Sequence, residues 1–284
     1  MEKQTEIWTI LKVLNWTKGY LAIKGVANAR LEAEWLLAAA LRLDRVGLYV
    51  NFEKPLLADE LALFKEMVGR RARREPLQYI LGSQEFMGLE FRVTPAVLIP
   101  RHDTETLVRE ALGRAGNARL ILDIGTGSGC IAVALAKLIP HANVTAVDSS
   151  EAALDVARGN AFHNNVTVHS VYGSLFEPCG GGRFDLIVSN PPYIPTADLD
   201  GLQPEVRDFE PKKALDGGFD GLDFYRMIIP ATPSHLNYGG WLMVEIGVGQ
   251  EEAVRDMFID TGFVEVFTAR DPGNNVRVIG GHVL

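Results

Sequence analysis

The sequence predicts an α/β protein: a doubly wound, mostly parallel β-sheet preceded by a small helical bundle and a β-hairpin. Beyond residue 101, short apolar runs of strand length alternate with segments of helical length. One of these runs leads directly into a glycine-rich loop and an apolar helix. Before residue 78, apolar residues recur at helical spacing without β-type alternation. We therefore divide the chain into a helical domain (1–77), a hairpin linker (78–100) and an α/β domain (101–284).

Composition narrows the range of functions. The chain has 284 residues and a formal net charge of −8, which argues against a general nucleic-acid-coating surface, so we expect no direct DNA binding. Cys130 and Cys179 are too few for a disulfide framework and lack metal-ligand spacing, which indicates a reducing cytoplasm. No apolar run reaches the ~18 residues of a membrane span. Residues 1–6 lack the layout of a signal peptide.

The first 75 residues predict a helical bundle. We expect Trp8, Trp16 and Trp35 to fill its core. The bundle ends in the basic run Arg70–Arg74, just before Pro76. Because cations favour a helix C-terminus, we interpret this run as a solvated helix end, with contact to RNA or an acidic partner as the alternative.

Residues 78–100 carry short apolar runs broken by glycine and proline, which predicts a β-hairpin. A helix then opens near residue 105, with Asp103 or Thr104 as its N-cap. The α/β domain follows as alternating elements. Its predicted strands are Leu120–Ile124, Val144–Val147, Val166–Val171, Phe184–Val188, Trp241–Ile246, Val264–Thr268 and a closing antiparallel Val276–Ile279. Its predicted later helices are Cys130–Ile139, Glu151–Asn164, Leu222–Ile229 and Gln250–Thr261.

The strand Phe184–Val188 ends in a proline corner, Asn190-Pro191-Pro192-Tyr193. Proline lacks an N–H and restricts the residue before it, so Asn190 and Pro191 are both held extended. The corner lies at the carboxyl end of a parallel strand, where open α/β sheets bind ligands. The side-chain carbonyl of Asn190 and the backbone carbonyl of Pro191 suit a planar –NH2 group, with Tyr193 as an aromatic wall.

The loop Gly125-Thr126-Gly127-Ser128-Gly129 lets a ligand approach the backbone beside a helix N-terminus. Asp148, at the end of the next strand, can accept hydrogen bonds from both hydroxyls of a ribose. Two adenosine-containing cofactors compete for this arrangement. The spacing of Gly127, Gly129 and Ala132 fits a dinucleotide fingerprint. However, a dinucleotide needs both halves of the sheet, and in the second half the strand Phe184–Val188 ends in the proline corner, which leaves no place for a nicotinamide.

A glycine loop opened by Asp123 resembles that of Rossmann-like methyltransferases that use S-adenosylmethionine. With the proline corner, the chain most resembles the HemK/PrmC family of protein-(glutamine-N5) methyltransferases acting on peptide chain release factors. The resemblance runs nearly end to end. Besides the two loops it includes Gln78–Gly82, Phe91–Val93, Leu98–Arg101, Asp103–Glu105, Glu210-Pro211, Ala214–Gly218, Asp220–Leu222 and Glu245–Gly247.

This resemblance implies that residues 125–129 and Asp148 hold S-adenosylmethionine, that Leu175 lies beside its adenine, and that Asn190 also contacts it. It further implies that residues 190–193 bind the substrate glutamine, with Asn190 and Pro191 catalytic. The helical domain would help to recognise the release factor. The chain departs from the family at Ser174, where an acidic residue usually contacts the adenine amine, and at His102, where a proline is common.

Two other functions use parts of the same constellation. An adenine-N6 DNA methyltransferase would use the same amine-holding corner, but it must extrude a base and clamp a duplex. A dinucleotide-binding oxidoreductase would use the glycine loop, and a non-catalytic adenosine-binding scaffold is a third alternative. The stretch from Ile194 to Asp220 is long for a loop, so we expect it to help cover the site.

Overall fold

The computed structural model describes residues 7–284, which fall into two compact units. One unit contains the chain up to Gly82 together with Pro204–Phe209. The other contains Ser83–Gln203 and Glu210–Leu284. The predicted division placed boundaries after residues 77 and 100. The units instead meet after Gly82, so residues 78–82 belong to the first unit and residues 83–100 to the second. The prediction about a signal peptide concerns residues 1–6, which lie outside the described part.

The N-terminal part of the first unit is helical, as predicted. Thr9 begins the first helix as an N-cap whose hydroxyl accepts from the Lys12 N–H at 3.4 Å. The helices are α1 (Ile10–Ile23), α2 (Ala29–Leu41), α3 (Arg45–Val50), α4 (Ala58–Ala72) and α5 (Leu77–Leu81). Leu14, Leu36 and Phe64 are among the residues of their shared core. Apolar residues at helical spacing thus produce a separate core for this unit.

Two of the three tryptophans predicted in that core are on the surface. Trp16 is 54% exposed and stacks on Tyr20 with ring centroids 5.0 Å apart. Trp35 is 45% exposed, and the guanidinium of Arg45 lies 5.8 Å from its ring centroid. The prediction is wrong for both, because the smaller aliphatic residues of the same helices fill the core. Trp8 is half-buried and packs against it.

The arginine run at the end of α4 is not a solvated helix end. Arg71 is buried and forms ion pairs with Glu32 and, at 2.8 Å, with Glu205. Arg74 contacts the other oxygen of Glu205 at 2.7 Å. Glu205 belongs to the short helix Pro204–Phe209, which lies far along the chain but in this unit. The basic run therefore holds a segment of the same protein, and the predicted solvated end is wrong for Arg71.

The second unit is built on a seven-stranded sheet. Its strands are β3 (Leu120–Ile124), β4 (Asn143–Asp148), β5 (Val168–Tyr172), β6 (Phe184–Ser189), β7 (Leu236–Glu245), β8 (Val264–Arg270) and β9 (Val276–His282). They lie in the order β5-β4-β3-β6-β7-β9-β8. The first five strands in this order are parallel to one another, and β9 is antiparallel to both β7 and β8. The helices are α6 (Glu105–Ala115), α7 (Cys130–Leu138), α8 (Glu151–His163), α10 (Asp223–Ala231) and α11 (Glu251–Asp260), with Pro204–Phe209 as α9. The predicted fold class is confirmed.

The position of the site follows from this strand order. The chain runs outward from β3 through β4 to β5, then returns to place β6 on the other side of β3. In an open α/β sheet, the crevice at such a reversal binds ligands at the carboxyl ends of the strands. The segments that follow β3 and β6 are therefore the ones that the topology brings together.

The predicted hairpin forms from β1 (Ser83–Phe86) and β2 (Leu89–Arg92). Its two turn residues, Met87 and Gly88, have φ of 52° and 72°, the combination that a tight two-residue hairpin requires. Phe86 and Phe91 are fully buried in the core that covers one face of the large sheet. The hairpin is thus part of the α/β unit by its packing, rather than a linker. None of the helices between residues 7 and 284 has the length and apolarity to cross a membrane.

Candidate active site

The glycine loop and the proline corner leave the sheet side by side. Ile124 at the end of β3 is in register with Ser189 at the end of β6, and the Ser189 hydroxyl donates to the Ile124 carbonyl at 2.8 Å. A cavity of about 300 Å³ opens at this edge. Its lining includes Ala96, Val97, Leu98, Gly125, Gly127, Asp148, Ser174, Leu175, Asn190, Pro191, Pro192 and residues 211–214. With Phe224 and Ile228, which also line it, the cavity joins segments from seven places in the chain.

The glycines of the loop have different tasks. Gly125, Gly127 and Gly129 have φ of 71°, 55° and 79°, in the left-handed region that side chains disfavour. Gly125 and Gly127 line the cavity, and a Cβ on Gly127 would meet nothing within 4 Å. A Cβ on Gly129 would lie 2.9 Å from the Cβ of Ala157 in α8. The middle glycine leaves room for a ligand, whereas the last one lets two helices pack closely.

Thr126 and Ser128 hold the loop in place. The Thr126 hydroxyl donates to Asp123 Oδ2 at 2.6 Å, and the Ser128 carbonyl accepts from Asn160 at 2.8 Å. Both residues are buried and, like Gly129, are not among the cavity-lining residues. Burial raises the pKa of Asp123 to about 7, against the hydrogen bond from Thr126, which lowers it. Three of the five predicted loop residues thus support the cavity wall rather than form it.

Asp148 connects the loop to β4. One of its carboxyl oxygens accepts the Gly127 N–H at 2.8 Å, and the other accepts the Ser150 N–H at 2.9 Å. Burial raises the pKa of Asp148, and the backbone N–H groups partly oppose that rise. A carboxylate has about four acceptor sites, so these bonds and a weaker one from the Ser149 N–H still leave capacity for a ligand. Asp148 lines the cavity, and it also fixes the loop.

Leu175 and Ser174 form another part of the wall. Leu175 has φ of 50°, a strained conformation for a residue with a branched side chain. Such strain persists where the surroundings determine the backbone, and it is common at ligand sites. Ser174 adds a serine side chain to the wall at that point.

The proline corner presents Asn190, Pro191 and Pro192 to the cavity. The Nδ2–H of Asn190 donates to the Thr104 hydroxyl oxygen at 3.1 Å. That contact occupies the amino side of the amide and leaves the Oδ1 side as a hydrogen-bond acceptor. Thr104 was expected only as an N-cap of α6, but its hydroxyl makes no capping hydrogen bond. It instead orients a predicted catalytic residue.

Tyr193 is not among the residues that line the cavity. Its hydroxyl lies 3.5 Å from Glu245 Oε1, and the Gln250 side chain donates to its carbonyl at 2.9 Å. Burial raises the pKa of Tyr193 to about 12, so the phenol is neutral at physiological pH. In this structure the ring supports the corner from behind, and the predicted aromatic wall is not part of the cavity.

Glu245 lies behind the proline corner, next to Tyr193; it belongs to the stretches that carry the family resemblance, but no role was predicted for it. It ends β7, is 1% exposed, and has a pKa that burial raises to about 7. A hydrogen bond from Thr104 and the positive charge of Arg277 act against that rise. A single acidic residue closing an otherwise apolar run was the available signal. Burying a carboxyl is costly, so such a position calls for an explanation.

The segment predicted to cover the site, residues 194–220, is divided between the two units. Residues 211–214 line the cavity, whereas Pro204–Phe209 belongs to the helical unit. Glu210, 6% exposed, accepts the Ile99 N–H at 3.1 Å and pairs with Arg101 at 2.5 Å. The carboxyl of Glu210 therefore joins the cavity walls 96–98 and 211–214.

Known proteins match both parts of the chain. Residues 12–82 match the family described as the PrmC N-terminal domain, and residues 102–201 match the methyltransferase small domain. The chain is 66% identical over 283 residues to the release factor glutamine methyltransferase of Geobacter sulfurreducens, with 100% of both chains covered. This chain belongs to the release factor glutamine methyltransferase family. The predicted HemK/PrmC membership is confirmed.

Other relatives agree with this assignment. The release factor glutamine methyltransferase of Moorella thermoacetica is 48% identical over 241 residues, covering 84% of this chain and 85% of that protein. The T. thermophilus 16S rRNA N2 G1207 methyltransferase, solved with AdoMet and guanosine, has a TM-score of 0.53 at 18% identity. That alignment covers 71% of this chain and 50% of the other, and it shows the Rossmann-like fold alone. The names of these relatives give no support to the DNA methyltransferase or oxidoreductase alternatives.

Proposed function

We propose that this chain transfers a methyl group from S-adenosylmethionine to the side-chain N5 of a glutamine in a peptide chain release factor, the GGQ-motif glutamine by family resemblance. The observation that carries the proposal is the orientation of Asn190. Its amide donates to Thr104 and turns an acceptor oxygen away from that contact, at the edge of the cavity. Acceptors in such a corner match the two N–H groups of a primary amide.

The residues around the cavity suit S-adenosylmethionine. Asp148 retains acceptor capacity for ribose hydroxyls, and Gly127 offers unshielded backbone next to open space. We assign Gly125, Gly127, Asp148, Leu175 and Asn190 to contacts with the cofactor, and Thr126, Ser128 and Gly129 to holding the loop that carries it. When bound, the cofactor supplies a methyl group activated by a sulfonium sulfur.

The chain's own contribution is to orient and polarise the substrate amide. An amide nitrogen is a poor nucleophile because its lone pair is shared with the carbonyl. The carbonyl groups of Asn190 and Pro191 each accept one substrate N–H, which fixes the nitrogen and stabilises the positive charge that develops on it. An alkylated amide nitrogen is strongly acidic and loses its proton readily, so the reaction needs no dedicated general base. Pro192 and Tyr193 keep the corner rigid.

The protein partner follows from the same assignment. We infer that the helical unit helps to recognise the release factor and that the enzyme acts in the cytoplasm. The named activity of the Geobacter and Moorella relatives, which match both units, supports the first inference. The reducing environment indicated by two unpaired cysteines supports the second.

The decisive experiment follows labelled methyl groups. The protein is incubated with labelled S-adenosylmethionine and, separately, release factor, release factor with the GGQ glutamine changed to alanine, duplex DNA, or no acceptor. Label should enter only the unaltered release factor. Label in DNA alone would overturn the substrate assignment. Binding of NADH without affinity for S-adenosylmethionine would overturn the cofactor assignment.

A further inference from the structure

A line of buried polar side chains stands behind the Asn190 amide. The Asn190 Nδ2–H donates to Thr104 Oγ1 at 3.1 Å, and Thr104 and Glu245 are only 2% and 1% exposed. The Thr104 hydroxyl is near enough to the Glu245 carboxyl to lower its pKa by hydrogen bonding. Within residues 7–284, Glu245 Oε2 is buried and has no hydrogen-bond partner, so it is a free acceptor to which that hydroxyl can turn its proton. We call Asn190, Thr104 and Glu245 the amide relay.

The direction of the relay depends on hydrogen-bond donors. A threonine hydroxyl has one proton, so while Thr104 accepts from Asn190 its own proton must go to another acceptor. An ionised Glu245 can only accept, and it therefore holds Thr104 as a donor on one side and an acceptor on the other. A protonated Glu245 can donate instead. Thr104 would then be free to donate to the Asn190 oxygen, which would turn the amide over.

We propose that Thr104 and Glu245 are positioning residues, which set the Asn190 amide so that Oδ1 and not its NH2 group faces the substrate. The proposal rests on the proposed function, in which Asn190 accepts a hydrogen bond from the substrate glutamine. The two faces of a primary amide have nearly the same shape, so packing alone cannot choose between them. If the Asn190 amide turned over, its NH2 group would face the NH2 group of the substrate glutamine, and two donors form no hydrogen bond with each other.

Several charged and titratable groups surround the relay. Arg277 comes from β9, Asp103 from the turn before α6, Tyr193 from the proline corner, Tyr225 from α10 and Cys130 from α7. Arg277 favours the ionised form of Glu245, whereas Asp103 opposes it. Arg277 is itself paired with Asp103 and Asp271, each at 3.0 Å. Burial, opposed by Thr104 and Arg277, raises the pKa of Glu245 to about 7, so its charge can change near neutral pH.

The first test removes only the Thr104 hydroxyl. Thr104→Val should lower kcat by about 10- to 100-fold, the loss seen when a hydrogen-bond partner that orients a metal ligand is removed, which is a comparable supporting role. Thr104→Ser should restore most of the activity, and KM for the release factor should change little in either variant. Thr106→Val is the matched control, because Thr106, two residues further on in α6, is also buried and its hydroxyl has no hydrogen-bond partner in the described chain. Wild-type kcat in Thr104→Val would overturn the proposal, as would a serine variant as slow as the valine one.

The second test uses pH. In the wild type, kcat should rise as Glu245 ionises near pH 7, and Glu245→Gln should lower kcat and remove that rise. An unchanged profile in Glu245→Gln would contradict the role given to Glu245. The wild-type profile needs no variant, so it tests the role of Glu245 even if Glu245→Gln folds poorly. A wild-type kcat that does not change around pH 7 would also overturn that role.

A third measurement separates the relay from the proposed function. The side-chain NH2 signals of Asn190 in ¹⁵N-asparagine-labelled protein, assigned by their loss in Asn190→Ala, report the Thr104 contact without any turnover. They should shift and exchange faster with water in Thr104→Val, but not in Thr104→Ser or Thr106→Val. Unchanged signals would overturn the relay even in an active enzyme. Shifted signals in a protein that methylates no release factor would overturn only the proposed function.

Discussion

At the scale of single residues, Asn190 connects the substrate corner to the buried side chains behind it. Asn190→Ala removes one acceptor, while Pro191 and Pro192 still impose the backbone of the corner. We expect kcat to fall by about 10²–10³, as for removal of one preorganised polar group from a transition-state site. Affinity for S-adenosylmethionine should change by less than about 1 kcal/mol.

Single-turnover rates at saturating release factor, together with calorimetric titration of the cofactor, separate these effects. A near wild-type rate in Asn190→Ala would mean that Asn190 is only a loop residue. A large loss of cofactor affinity would move its main role from the substrate to the cofactor.

Glu245 also links stability to pH. Its pKa is raised from 4.5 to about 7 in the folded chain, so the folded state binds more protons than the unfolded state between these values. Its stabilising contribution is complete below about pH 4.5 and is lost as pH rises through 7, by on the order of 3 kcal/mol. Asp123 contributes in the same direction, because its pKa is also raised to about 7.

We therefore expect the free energy of unfolding of the wild type to fall more from pH 5 to pH 7.5 than that of Glu245→Gln. Urea denaturation followed by circular dichroism measures the difference. Because Asp123 is present in both proteins, the comparison isolates Glu245. Parallel pH dependences would show that Glu245 titrates at the same pH folded and unfolded.

At the scale of elements, different glycines of the glycine loop serve ligand binding and helix packing. Gly127→Ala and Gly129→Ala both place a Cβ at positive φ, which costs roughly 1–2 kcal/mol of stability. Only the Gly129 variant also pushes α7 against Ala157 of α8, which adds about 1–3 kcal/mol. The Gly127 methyl group instead enters the cavity, so this variant should lose cofactor affinity. Melting temperature and calorimetric affinity should rank the two variants in opposite orders, and a common ranking would contradict the division of tasks.

The helix Pro204–Phe209 is the other element with a specific test. Glu205 accepts from Arg71 and Arg74, so Glu205→Gln should weaken the attachment by roughly 1.5–3 kcal/mol, the range for hydrogen bonds to charged groups. Amide hydrogen exchange in residues 204–209 should accelerate accordingly. Arg73→Gln serves as the control, because Arg73 is exposed within the same basic run. Equal exchange in all three proteins would mean that other contacts hold this helix.

At the scale of the whole molecule, the hairpin decides where the α/β unit can be cut. Phe86 and Phe91 lie in its core, so a fragment beginning at Arg101 loses both rings. Loss of such a ring typically costs about 3–5 kcal/mol. We expect a fragment of residues 83–284 to fold and bind S-adenosylmethionine, but to methylate release factor poorly without the helical unit. A fragment of residues 101–284 should not fold.

Circular dichroism and cofactor titration of the two fragments check the boundary, and methylation of release factor checks the helical unit. A well-folded fragment 101–284 would make the hairpin a true linker. Activity of fragment 83–284 equal to that of the full chain would give the helical unit some other purpose.

Much of this protein could be predicted without its structure, because the relevant signals are local. Short apolar runs alternating with helical segments identified the strands of the sheet, and the proline corner restricts its own backbone. The parallel strands then bring the glycine loop and the corner to one edge, so Gly127, Asp148 and Asn190 could be assigned to one site. The core role of Trp16 and Trp35 could not be judged this way, since helical periodicity does not say which apolar residues face inward.

Sequence by itself determined the fold class, the family and the two loops of the site, since each depends on neighbouring residues and on general rules of chain topology. Tertiary structure alone decided the supporting contacts. Asn190 and Thr104 are 86 residues apart, and Arg71 and Glu205 are 134 apart. Each of these side chains has many chemically acceptable partners, and only the packed fold selects one. For the same reason, the hairpin's place in the α/β core and the helix Pro204–Phe209 in the helical unit became clear only from the structure.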